Sequence, residues 1–150
     1  DAAAAVEAYV PSNLRSQLER TARNLLVLDT YNANPSSMRA SLSNFAASKF
    51  PDKMLILGEM LELGQDSVRE HVRVMETAAG IQDCSRILLV GGEFLRAARE
   101  CPSAAVDSRF TFCRDVEEAR KVLEEKPAEG CTVLLKGSNA VHLPLLKNIL

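Results

Sequence analysis

The chain has 150 residues, 47% of them hydrophobic and 25% charged, with a formal net charge of −2. That is enough for one domain with a sizeable core, too little for two ordinary domains, and the wrong balance for a disordered segment. The charge argues against a surface built to neutralise nucleic-acid phosphates or an anionic membrane, and no apolar run approaches the ~20 residues of a membrane helix. The four cysteines, Cys84, Cys101, Cys113 and Cys131, form no C-x-x-C pair. They read as reduced, mostly buried small hydrophobes of a cytoplasmic protein, not as a zinc or redox site.

Residues 2–9 are alanine-rich and carry acids where a signal peptide would carry bases; they suit a helix end that Pro11 stops. A chain that opens inside a helical pattern reads as part of a longer polypeptide. Residues 12–24 are polar, carry Arg15, Arg20 and Arg23, and suit a connector or a hairpin. The apolar run 25–28 is the first buried strand. The stretch Asp29-Thr30-Tyr31-Asn32-Ala33-Asn34-Pro35 follows it, with Asn34 as helix cap and Pro35 as first helical residue. A helix over about 35–49 is expected next, with Met38 inward.

Residues 54–57 are a second apolar strand, followed by a loop bracketed by Gly58 and Gly64. Asp66 or Ser67 is the expected cap of a helix over about 68–79, with Val68, Val72 and Met75 inward and Gly80 as its stop. The pattern recurs as strand 87–90, turn Gly91-Gly92 and helix 94–100. Strand 110–112 precedes an Asp115 cap and a helix over 116–125 with Val116, Ala119 and Leu123 inward. Strand 132–135, turn Lys136-Gly137-Ser138-Asn139 and a short helix toward Leu150 close the chain. Continuous apolar strands alternating with amphipathic helices predict an α/β fold: a Rossmann-like, doubly wound, mostly parallel sheet with helices on both faces.

In such a sheet every strand-to-helix turn lies on one edge, where open α/β sheets bind ligands. The Asp29 loop, the 58–64 loop, Gly91-Gly92 and the Lys136 turn are therefore expected to converge. Lys136, Gly137 and Ser138 offer a cation, a flexible joint and a hydroxyl beside a helix start, which suits a carboxylate or phosphate, although a lysine ending a strand is as readily solvated. Glu59 and Glu62 read as solvent-facing, and Arg39 reaches either the ligand edge or a surface carboxylate. His71 either faces that edge or packs. No Walker motif, metal-ligand spacing, dinucleotide fingerprint or cysteine nucleophile is present, and only Asp29 is placed as a receiver-type phosphoacceptor.

Taken in order, Asp29-Thr30-Tyr31-Asn32-Ala33-Asn34-Pro35 with Ser37-Met38-Arg39, then Leu57-Gly58-Glu59-Met60-Leu61-Glu62-Leu63-Gly64 with His71, Val90-Gly91 and Leu135-Lys136-Gly137-Ser138, the motifs resemble the C-terminal domain of the Mur ligases, MurF type. Arg15 to Gln17 resembles the stretch that joins the central domain to it. The resemblance implies residues 1–24 as the end of a preceding domain and a connector, and residues 25–150 as the Mur ligase C-terminal domain. It implies an ATP-dependent amide ligase of peptidoglycan synthesis that adds D-alanyl-D-alanine to UDP-MurNAc-tripeptide through an acyl phosphate.

On that resemblance ATP and Mg2+ are held mainly by a central domain, so this chain alone is expected to be inactive and to carry no catalytic or metal-binding residue of its own. Asp29, Tyr31, Asn32 and Asn34 are then the ATP-binding side, Lys136 and Ser138 the D-alanyl-D-alanine side, and Arg39, Glu59 and His71 helpers. The implied partners are the two substrates and the N-terminal and central domains, with no nucleic acid and no membrane. Two residues depart from the family pattern: Asn139 stands where arginine is common and Glu59 where aspartate is usual. The alternative is a stand-alone nucleotide- or small-ligand-binding regulatory module.

Overall fold

The computed structural model describes residues 17–30 and 32–150. The helix expected over 2–9, Arg15 and Tyr31 lie outside the described residues. Six strands form one sheet in the order β1 (Gln17–Arg20), β2 (Leu25–Asp29), β6 (Thr132–Lys136), β3 (Lys53–Gly58), β4 (Cys84–Val90) and β5 (Phe110–Cys113). β1 runs antiparallel to β2, so residues 17–24 form the hairpin rather than the loose connector, and the other neighbours are parallel.

The strands lengthen the expected runs by one to three residues, because polar termini such as Asp29, Lys53 and Lys136 continue the ladder. Alternation then sorts their side chains. Val27, Leu55, Leu57, Ile87, Leu89 and Leu134 face one layer, and Leu28, Ile56, Leu88, Val90, Val133 and Leu135 face the other.

The first layer holds α1 (Pro35–Ala47), α2 (Ser67–Ala79), α3 (Gly92–Ala98) and α4 (Pro102–Val106), a short helix absent from the sequence pattern. The second holds α5 (Val116–Glu125) and the C-terminal segment through Leu143, Leu146 and Leu150. Connections thus leave the sheet on opposite faces, which makes it doubly wound.

Asn34 caps α1 as expected: its Oδ1 accepts from Ser37 N at 2.8 Å, and Ser37 Oγ accepts from Asn34 N at 3.0 Å. Asp115 caps α5, accepting from Glu118 N at 2.9 Å. Asp66 does not cap α2, because a 3-10 turn (Gly64–Asp66) leads into the helix and the Asp66 carboxylate takes Arg69 instead. That helix is also rotated from the expected face. Ser67, His71, Val74, Met75 and Ala78 are buried while Val68 and Val72 sit at the margin, since the polar pair finds hydrogen bonds inside. No α-helix follows β6; two 3-10 helices (Asn139–Val141 and Leu143–Ile149) do, because His142 adopts φ 62° and Pro144 cannot donate to a helix ladder.

Candidate functional site

The carboxyl ends of the five parallel strands lie in register, Asp29 beside Lys136, Lys136 beside Leu57, Gly58 beside Val90 and Val90 beside Cys113. The loops expected to converge therefore do so. Gly58 and Gly137 let two of them touch: a Cβ on Gly137 would lie 2.9 Å from the Gly58 Cα. No other residue fits at that crossing.

Asp29 and Lys136 are joined to each other. Their ion pair is 3.1 Å long, with side chains 3% and 1% exposed. Ser41 Oγ, on α1, donates to the same Asp29 oxygen at 2.6 Å, and Lys136 Nζ also donates to the Asn32 carbonyl at 2.8 Å. The reading of Lys136 as a solvated strand end is thus corrected: among the described residues, burial on β6 gives its ammonium Asp29 and a loop carbonyl to meet. One cation holds the loop after β2 onto the strand that leads to Ser138. In that turn the Ser138 Oγ is buried with no hydrogen-bond partner among the described residues, an unused donor and acceptor beside the edge.

Glu59 is not solvent-facing. Its Oε2 accepts from Glu93 N in the first turn of α3 at 2.8 Å, where the unpaired amides of a helix start favour a carboxylate. The carboxylate lies against Gly91, whose φ is 128° and where a Cβ would stand 2.7 Å from Glu59 Oε2. His71 packs, the second of its two readings. Met60 N donates to Nε2 at 3.0 Å, which leaves the proton on Nδ1 to be donated to the Ser67 carbonyl at 2.7 Å. Burial lowers its pKa below the ordinary histidine value, so the ring is neutral. Phe94 meets it edge-on at 4.7 Å. His71 therefore fixes the 58–64 loop from beneath.

Asn32 and Asn34 are exposed at the start of α1. Arg39 is exposed farther along that helix, over a small groove with Glu70, Arg73 and Thr77 of α2. Beside the 58–64 loop a cleft of about 180 Å³ opens between Glu59, Gly91, Arg114, Asp115, Val141 and His142. The sequence reading passed over Arg114 and weighed His142 only as a metal ligand, for which the spacing was absent. The signal was available, because the β5 turn ends on the same edge as the other parallel strands. Burial of the four thiols agrees with the expectation for the cysteines: Cys84, Cys101 and Cys113 are buried, Cys131 is half-buried, and burial pushes Cys84 and Cys113 up to about 11.

Among the described residues no group of three or more His, Cys, Asp or Glu side chains is placed to hold a metal ion. Among them too, no helix is long and apolar enough to cross a membrane.

The family model for the Mur ligase, glutamate ligase domain matches residues 14–139. The chain is 34% identical over 124 residues to a UDP-N-acetylmuramoyl-tripeptide--D-alanyl-D-alanine ligase of Treponema pallidum, covering 83% of this chain and 27% of that protein. It is 38% identical over 151 residues to the protein of the same name from Bacillus subtilis, covering 95% and 32%. Among solved structures, a MurF crystal structure from Acinetobacter baumannii superposes with a TM-score of 0.73 at 28% identity, covering 89% of this chain and 29% of that one. The chain thus spans about a third or less of the length of the curated relatives it matches.

Proposed function

This chain belongs to the Mur ligase family through its glutamate ligase domain, and from that premise we propose that it is the C-terminal domain of an ATP-dependent amide ligase that joins D-alanyl-D-alanine to UDP-MurNAc-tripeptide in peptidoglycan synthesis. The observation that carries this reading is the enzyme name shared by relatives that match along most of the chain. Geometry supports it, because every strand-to-helix loop with unusual polar residues meets at one sheet edge.

In the proposed reaction the tripeptide carboxylate takes the γ-phosphoryl group of ATP, giving an acyl phosphate and ADP. The dipeptide amine then attacks the acyl carbon, phosphate leaves, and the amine gives up a proton as the amide forms. We assign the phosphoryl step and Mg2+ to a central domain, and the N-terminal and central domains of the same protein as the partners of this one. Residues 1–24 are proposed as the end of the preceding domain and its connector, and residues 25–150 as the C-terminal domain. An enzyme that consumes ATP and a nucleotide-linked precursor belongs in the cytoplasm.

Asp29, Tyr31, Asn32 and Asn34 are proposed for the nucleotide side and Lys136 and Ser138 for the dipeptide side, with Arg39, Glu59 and His71 as helpers. Lys136 acts in this scheme by pinning the Asn32 carbonyl and Asp29, so that both ligand ends sit on one rigid frame. Ser138 brings a hydroxyl with no hydrogen-bond partner among the described residues, and a cleft of about 180 Å³ opens nearby. The test is phosphate release by the full-length protein, expected to need ATP, UDP-MurNAc-tripeptide and D-alanyl-D-alanine together. An inactive full-length protein, with tight nucleotide binding by the 150-residue chain alone, would replace this reading with the regulatory module.

A further inference from the structure

A dipeptide held in the cleft needs a cation for its terminal carboxylate, and the buried lysine is turned away from that task. Lys136 is 1% exposed and its ammonium is engaged by Asp29 and the Asn32 carbonyl. The acids of the cleft are engaged as well. Glu59 Oε2 takes the Glu93 amide at 2.8 Å and Asp115 Oδ1 takes the Glu118 amide at 2.9 Å.

Arg114 is the arginine or lysine among the residues lining the cleft. Its Nε donates to Glu118 Oε2 at 2.8 Å, and its backbone N donates to Glu118 Oε1 at 3.2 Å. Glu118 thereby holds one flank of a side chain that is 79% exposed. Among the described residues the terminal nitrogens Nη1 and Nη2 enter no hydrogen bond, so one side of the planar fork remains open. A guanidinium fixed through Nε presents the geometry that a carboxylate accepts with both oxygens.

We propose that Arg114 is a specificity-determining residue that grips the terminal carboxylate of the incoming dipeptide, with Glu118 orienting its fork. The inference rests on the ligase reading above. It predicts that the enzyme tells a free C-terminal carboxylate from a carboxamide chiefly through Arg114.

The experiment is steady-state kinetics of the full-length protein and its Arg114→Gln and Arg114→Lys variants, with D-alanyl-D-alanine and with its C-terminal carboxamide. Arg114→Gln is expected to raise KM for the acid by about ten- to a hundredfold, as loss of a charge-assisted bidentate contact does. KM for ATP and UDP-MurNAc-tripeptide stays as in the wild type, and so does KM for the carboxamide. Arg114→Lys, which keeps the charge and loses the fork, falls between. An unchanged KM for the acid, or an equal rise for acid and carboxamide, overturns the role of Arg114 while leaving the ligase reading intact. A wild-type protein that does not ligate the dipeptide overturns both.

Discussion

The sheet buries one lysine at each end, and the two are built differently. Lys53, at the amino end of β3, donates to the Ser48 carbonyl at 2.8 Å, the Ala46 carbonyl at 3.3 Å and Asp83 at 2.8 Å. It closes the last turn of α1, and its acid partner is 63% exposed. Lys136, at the carboxyl end of β6, is equally buried, but its partner Asp29 is only 3% exposed. A pair with one partner in water keeps most of the hydration of that partner. A pair with both partners dry loses it, and such pairs seldom add stability over apolar residues of similar size. The amino-edge lysine is therefore a helix fastening, whereas the carboxyl-edge pair is explained by geometry: it ties the loop after β2 to the strand that carries the Ser138 turn.

The largest expected effect separates the two lysines. In the isolated domain Lys136→Met strands Asp29 without its cation and is expected to cost about 3–5 kcal/mol. Lys53→Met leaves Asp83 in water, where most of it already lies, and forfeits hydrogen bonds and a largely solvated ion pair, about 1–3 kcal/mol. Urea midpoints measure both, and equal losses would erase the distinction between the edges.

A middle effect concerns the same carboxyl edge through pH. The His71 pKa is lowered by burial, so the unfolded chain binds its proton more readily than the folded one. The stability this neutral ring contributes is present above the ordinary histidine value of about 6.5 and is lost as pH falls below it. His71→Phe removes the acceptor for Met60 N, at a cost of about 1–3 kcal/mol near neutrality. It also flattens the stability profile as pH falls below about 6.5, read from urea melts at a series of pH values. The smallest effect belongs to a position where no buried charge is at stake: Asp115→Ala removes the cap of α5 and lowers stability by about 1 kcal/mol.

Much of the frame was legible because β2, β3, β4 and β6 are continuous apolar runs separated by glycines, caps and prolines, and their parallel order follows from the helices between them. β1 was harder, since Gln17-Leu18-Glu19-Arg20 is an edge strand with no apolar face to declare itself. The face of α2 was misjudged because Val68 and Val72 look like core positions, while the helix buries Ser67 and His71, whose partners, Glu93 at the start of α3 and Met60 in the 58–64 loop, come from other parts of the chain.

The edge itself was also legible, but not the contacts within it. Asp29 and Lys136 each looked like a ligand group, and only the register that sets Asp29 beside Lys136 makes them partners. Glu59 looked solvated because its partner, the Glu93 amide, is a backbone group that no side-chain pattern announces. Arg114 was overlooked although the rule that gathers strand-to-helix turns on one edge applies to β5 as it does to β2.

The most direct test compares the two lysines in the full-length protein, by phosphate release in the presence of ATP, UDP-MurNAc-tripeptide and D-alanyl-D-alanine at matched folded fractions. Lys53→Met is expected to stay within about threefold of the wild type, as a substitution away from the reacting groups does. Lys136→Met is expected to lose about a hundredfold, the effect of letting the two ligand ends drift by an ångström. Equal activities for the two variants, or a larger loss for Lys53→Met, would contradict the assignment of the carboxyl edge as the working edge of the domain.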